Sequence, residues 1–242
     1  MTKEFILEIQ EKGFCVLKRH FAQSLITSCK EKFWPTLLAY IDANREAPNR
    51  GPQRHFLPMT FDDFVPEFFF EKQVLEIVRG AMDERIVADQ WGCDVPLQGS
   101  EYQLPHVDYQ RPLFEEMPEL ELPIYMLVVS FGLVPITVEN GPIEIAAGTH
   151  RMKRKEAIRA VEAEEIELQH VLLGLGDVLI RHPWCLHRGS PNRTDEPRPL
   201  ATIRYVRRWY ADNSREVASI PLAVWNSLAP EQQSLMRFPM GD

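Results

Sequence analysis

Cysteine is scarce in this chain: four in 242 residues, at Cys15, Cys29, Cys93 and Cys185, with no Cys-x-x-Cys pair. Such wide scatter argues against a disulfide framework and fits reduced thiols in a cytoplasmic enzyme. Basic residues are also short: Lys plus Arg is 27 against 35 for Asp plus Glu, a net charge of -8. A mildly acidic chain is poorly suited to non-specific contact with nucleic acid or an anionic membrane surface. Long hydrophobic runs are missing. The most apolar stretch, 122–136, holds two prolines and is shorter than the roughly 20 residues a spanning helix needs. The opening Met-Thr-Lys-Glu-Phe-Ile-Leu-Glu meets acidic residues too early for a signal peptide. Internal repeats and low-complexity segments are absent as well.

What is present is an ordinary globular composition, 45% hydrophobic and 26% charged, able to bury a core as one domain over 1–242. Helical signals cover 3–11 and 24–41; in the second, Leu25, Cys29, Phe33 and Leu37 recur every fourth residue. Gly13-Phe14-Cys15-Val16-Leu17 between them is a strand-type run. Residues 42–58, rich in Asn, Arg, Pro and Gln, suggest a long loop, and long loops in compact domains tend to be functional. Val74, Ile77 and Val78 mark a short helix before Gly80.

From about residue 85 the texture changes. Strand-like runs at 85–91, 100–107, 123–134, 142–146, 168–173, 177–182 and 200–209 are broken by Pro, Gly and Asn. A charged insertion, 151–167, suggests a solvated helix. A helical part over about 1–84 followed by a β core over about 85–210 predicts a mainly β fold with flanking helices. The double-stranded β-helix, or jelly roll, is one architecture that fits.

The sharpest chemical feature is His106-Val107-Asp108. In an extended segment residues i and i+2 share a face, so the imidazole and the carboxylate can converge on one point. A metal needs a third ligand, and His187 is the best candidate. Two His and one carboxylate on one face of an ion leave the other face open, which suits non-haem Fe(II) oxygenases. A lone His-x-Asp is common by chance, and its ordinary reading is a strand end with two hydrogen-bonded polar residues. His182, just before Pro183, reads as a structural histidine and is the rival to His187. Asp177 after Gly176 reads as a turn-closing carboxylate.

Four ordered blocks strengthen the case. They are Gly13-Phe14-Cys15-Val16-Leu17 after a helix; His106-Val107-Asp108; Asn140-Gly141-Pro142 running on to Gly148-Thr149-His150; and Gly176-Asp177 followed by His187-Arg188-Gly189-Ser190-Pro191-Asn192. Together they resemble the phytanoyl-CoA dioxygenase family of Fe(II)/2-oxoglutarate oxygenases over nearly the full length. The resemblance implies a cupin-like jelly-roll core, with Fe(II) on His106, Asp108 and His187. It also implies 2-oxoglutarate and O₂ as cosubstrates. Arg198 stands where that family places the arginine that grips 2-oxoglutarate, and a guanidinium matches a carboxylate bidentately as Lys cannot.

The chain departs from the family pattern in places. Ala146-Ala147-Gly148-Thr149 replaces the usual Pro-Gly-Ser. Gly189 stands where some relatives carry a hydroxyl that helps hold the cosubstrate, leaving Ser190, Thr202 and Tyr125 as substitutes. Asp108 is retained, which favours hydroxylation or a related oxidation over halogenation. Arg54, Arg111 and His150 are candidates for substrate contact; exposed arginines, however, usually face solvent. Tyr109, Trp184 and Trp91 could wall a pocket, yet aromatics near strands are more often core. The expected partner is a small-molecule metabolite, with biosynthesis the expected setting. Two other readings stand beside this one: a cupin-type zinc hydrolase or isomerase on the same ligands, and a non-catalytic ligand-binding relative.

Overall fold

The computed structural model describes residues 2–61, 65–108, 122–210 and 217–241. Two antiparallel sheets form its body. The larger runs in the order β1 (Phe14–Leu17), β7 (Val178–Arg181), β4 (Met126–Gly132), β9 (Leu200–Arg207), β3 (Ile86–Pro96), β2 (Arg54–Pro58). The smaller runs β6 (Leu168–Val171), β5 (Ile143–Ala146), β8 (His187–Gly189). Helices α1 (Thr2–Lys12), α2 (Gln23–Ala43), α3 (Pro66–Phe70) and α4 (Lys72–Ala81) belong to the N-terminal part, and α5 (Arg154–Glu162) lies in the charged insertion. Among the described residues no helix is long and apolar enough to cross a membrane.

Strand alternation divides the larger sheet into two faces. Leu127, Val129 and Phe131 of β4, Ile203 and Tyr205 of β9, and Val178 and Ile180 of β7 share one core with Ile26, Phe33 and Leu37 of α2 and Val74 and Ile77 of α4. The opposite residues, among them Leu179 and Leu200, meet Ile143 and Ile145 of the smaller sheet in a second core. Polar residues take over part of that inter-sheet face. Gln90, Asp94, Ser130, Arg181 and Thr202 replace apolar ones and line a cavity there.

Most expected elements form, with shifted edges. The buried stripe of α2 starts at Ile26, and Leu25 is only partly buried. The 42–58 segment is not all loop, because its last residues are β2, paired with β3 from Arg54↔Pro96 to Pro58↔Gly92. The strand expected over 100–107 is an extended stretch with one bridge, His106↔His187. The solvated helix is shorter than 151–167, following a 3₁₀ turn at Thr149–Arg151. Two short elements, the five-residue α3 and the three-residue β8, lack the length to show a period.

Candidate metal centre

Backbone pairing builds the centre. The His106 N–H donates to the His187 carbonyl at 2.9 Å, and the His187 N–H returns the bond to His106 at 3.0 Å. The Asp108 N–H donates to the Pro183 carbonyl at 2.9 Å, which locks the segment against the turn before β8. Residues 106 and 108 therefore face the same side, as i,i+2 spacing dictates. One ligand atom each from His106, Asp108 and His187 lies within 4.8 Å of the others.

The tautomers follow from the neighbours. Nδ1 of His106 lies 2.8 Å from the Leu104 carbonyl, and Nδ1 of His187 lies 2.9 Å from the Cys185 carbonyl. A carbonyl only accepts, so both Nδ1 atoms carry the proton and both Nε2 lone pairs are free for a metal. His187 Nε2 stands 3.8 Å from Asp108 Oδ1, the gap of two ligands facing a shared ion rather than of a hydrogen-bonded pair. Burial and then the Arg181 charge push His187 down to about 3, so it is neutral as ligation requires. Burial pushes the Asp108 carboxyl up, but Arg181 and the two imidazoles outweigh it, leaving the carboxyl well below the usual range. Both ligands are in their metal-binding protonation states at neutral pH.

A cavity of about 100 Å³ opens beside the triad. At one end Arg54 and Asp94 pair bidentately, Nε to Oδ1 at 3.0 Å and Nη2 to Oδ2 at 2.8 Å. Arg198 reaches the same carboxylate, its Nη2 lying 3.5 Å from Asp94 Oδ2. Arg198 is 1% exposed, is not part of the cavity wall, and all three guanidinium nitrogens lack a hydrogen-bond partner. Arg54 Nη1 is likewise buried and unpartnered. Burial lowers Arg198 to about 10, still charged at neutral pH. Two buried guanidiniums thus share one carboxylate. An uncompensated buried charge costs several kcal/mol, so this geometry suits a further anion.

The substitute hydroxyls separate clearly. Thr202 lines the cavity, with its Oγ1 3.3 Å from Ser130 Oγ. Ser190 Oγ donates to the Pro142 carbonyl at 2.6 Å, and its proton is committed there. Tyr125 is not in the cavity wall; it packs 5.1 Å from the Trp184 ring and 5.1 Å from Tyr210.

The substrate candidates fare unevenly. Arg54 is in the cavity but buried at 3% exposure and tied to Asp94, not reaching outward from a loop. His150 does not line the cavity: the turn at Gly148, φ 79°, leads it back under α1. There its Nε2 is 3.2 Å from the Gln10 carbonyl and its ring 5.2 Å from His182. Arg111 and Tyr109 lie outside the described residues. Trp91 belongs to the aromatic core with Phe69, at 5.4 Å. His182 is structural: the Trp184 N–H donates to its Nδ1 at 3.1 Å, and burial pushes it down to about 3. Asp177 closes its turn by accepting from the Gly174 N–H at 2.8 Å, and it also accepts from the Arg19 N–H at 2.7 Å.

Sequence reasoning passed over Arg181, Asp94, Ser130 and Gln103, all in the cavity wall. A charged residue ending Val178-Leu179-Ile180-Arg181 was a usable signal, because a buried strand has little reason to carry an unpaired cation.

Comparison with known proteins agrees with this geometry. The family described as Phytanoyl-CoA dioxygenase (PhyH) matches residues 9–200. The carbocyclase SnoK of nogalamycin biosynthesis superposes with a TM-score of 0.64 at 17% identity, over 85% of this chain and 84% of that one. HygX from Streptomyces hygroscopicus, solved with nickel, 2-oxoglutarate and hygromycin B bound, gives 0.63 at 14% identity, over 100% and 98%. The epimerase SnoN, solved with Fe3+, alpha ketoglutarate and nogalamycin RO, gives 0.62 at 14%, over 90% and 95%. At these identities the structures establish the jelly-roll fold, and the sequence match establishes the lineage. The chain belongs to the phytanoyl-CoA dioxygenase family of 2-oxoglutarate-dependent non-haem iron oxygenases.

Proposed function

We propose that this chain hydroxylates, or otherwise oxidises, a small-molecule metabolite with 2-oxoglutarate as cosubstrate. The observation that carries this reading is one cavity with a complete two-His-one-carboxylate set beside a buried arginine pair. That pair has unsatisfied donors for an anion. When bound, Fe(II) and 2-oxoglutarate supply an oxidant derived from O₂, with release of succinate and CO₂.

His106 Nε2, Asp108 Oδ1 and His187 Nε2 would hold the metal, with the Leu104 and Cys185 carbonyls fixing both rings. Arg198, with Arg54 beside it, would take the distal carboxylate of the cosubstrate. Thr202 and Ser130 offer hydroxyl donors along the same wall, and Val128, Ile143 and Leu200 contribute apolar surface that limits water. A zinc hydrolase on the same ligands would leave the Arg198 charge without a purpose, and a non-catalytic relative would have no need of correctly tautomerised ligands. Relatives such as HygX and SnoN were solved with natural products bound, which supports a small-molecule substrate here.

The test is succinate formation from 2-oxoglutarate by the purified chain with Fe(II) in air, where slow uncoupled turnover needs no knowledge of the substrate. We expect succinate with the parent protein and none with Asp108→Ala. Equal succinate from both would overturn the reading.

A further inference from the structure

Arg181 ends the otherwise apolar strand β7. Val178 and Ile180 face the helices, so alternation turns Leu179 and Arg181 into the space between the sheets. The Arg181 side chain is 11% exposed and lines the cavity. Its Nη2 donates to Asp108 Oδ2 at 2.7 Å, and its Nη1 is buried without a partner. A contrast lies two strands away. Val128 pairs with Arg181 on one side and Arg204 on the other, and Arg204 holds its own bidentate carboxylate, Asp89. The carboxylate that Arg181 touches is instead the metal ligand.

We propose that Arg181 is a positioning residue for the metal centre. By engaging Oδ2 it leaves Asp108 to bind through Oδ1 alone, the oxygen that faces His187. Coordination number makes this matter. Fe(II) held by His106, Asp108 and His187 would need its remaining coordination sites for 2-oxoglutarate and O₂. A carboxylate that chelated through both oxygens would take a position the reaction needs. The proposal rests on the metal assignment above.

The experiment uses the full chain with Co(II) alone as probe. Binding is followed by visible absorption, and the binding mode by infrared difference spectra of the carboxylate stretches. Arg181→Gln should weaken Co(II) binding by about 10- to 100-fold, as is typical when a partner of a metal ligand is removed. It should also narrow the separation of the asymmetric and symmetric stretches toward the two-oxygen mode. Arg181→Lys, which keeps the charge, should recover part of the affinity. It also serves as the test if Arg181→Gln fails to fold. A folded Arg181→Gln with parental affinity and an unchanged separation would overturn the role while leaving the metal site standing. A parent protein that bound no Co(II) would overturn both.

Discussion

The guanidinium of Arg54 fills the space that any side chain at Gly189 would occupy. A Cβ built at 189 runs into Arg54 Nη1, Cζ and Nη2, so the glycine is a condition for the arginine. This accounts for the missing hydroxyl two residues after His187: a cation stands in the place of a hydroxyl side chain. The pair should be coupled in energy. Gly189→Ala should destabilise the fold by about 1–3 kcal/mol through overpacking, and Arg54→Ala in the same chain should relieve much of that. Urea unfolding of the four proteins in the cycle measures the coupling, and strict additivity would contradict it.

Arg198 is the second point of test. Its guanidinium is charged, buried and without hydrogen bonds. Arg198→Ala should raise the 2-oxoglutarate requirement by an amount corresponding to about 2–5 kcal/mol, the usual loss when one partner of a buried charge pair is truncated. Arg198→Lys should recover only part, because an ammonium lacks the fork. The readout is succinate formation against 2-oxoglutarate concentration. An unaltered concentration dependence would move the clamp elsewhere.

A pH dependence of stability follows from His182. Its folded value is about 3 against an ordinary value near 6.5, so the unfolded chain binds a proton that the folded chain refuses. Stability is therefore lost as pH falls below about 6.5, and the loss continues toward the folded value. Between pH 7 and pH 5 this one group should remove about 2 kcal/mol. His182→Asn keeps an acceptor for the Trp184 N–H and has no proton to bind. It should flatten that part of the curve in urea unfolding at the two pH values. A curve as steep as the parent's would assign the dependence to other groups.

The metal ligands carry a fourth expectation. Asp108→Ala should abolish Fe(II) binding and leave the fold intact, because the carboxylate sits at the cavity edge rather than inside a hydrophobic core, and the main-chain bond from the Asp108 N–H to the Pro183 carbonyl survives the substitution. His106→Ala should do the same. Isothermal titration with Fe(II) under nitrogen, with circular dichroism as the fold control, decides both.

How much of this was legible depends on range. The triad could be read because its spacing is local, i and i+2 on an extended segment, with a third ligand in a recognisable block. Arg198 was reached only through the family resemblance, since Asp195-Glu196-Pro197 just before it reads as a surface turn. The Arg54–Gly189 relationship was not legible, since β2 and β8 lie in different sheets and 135 positions separate the two residues; only the closed jelly roll brings them together. Arg181 left a trace, a charge in a buried strand, but its partner Asp108 is 73 positions away. His150 misled because its motif is local while its direction is set by the Gly148 turn and the packing of α1. The strand at 100–107 misled because a single bridge to β8 suffices to hold His106 in place.

The most direct measurement is an anaerobic titration of the purified chain with Fe(II) and then 2-oxoglutarate, watching for the weak visible metal-to-ligand charge-transfer band. The account predicts a band in the parent protein, no band in Asp108→Ala, and a band at much higher 2-oxoglutarate concentration in Arg198→Ala. Fe(II) binding with no band at any 2-oxoglutarate concentration would contradict it.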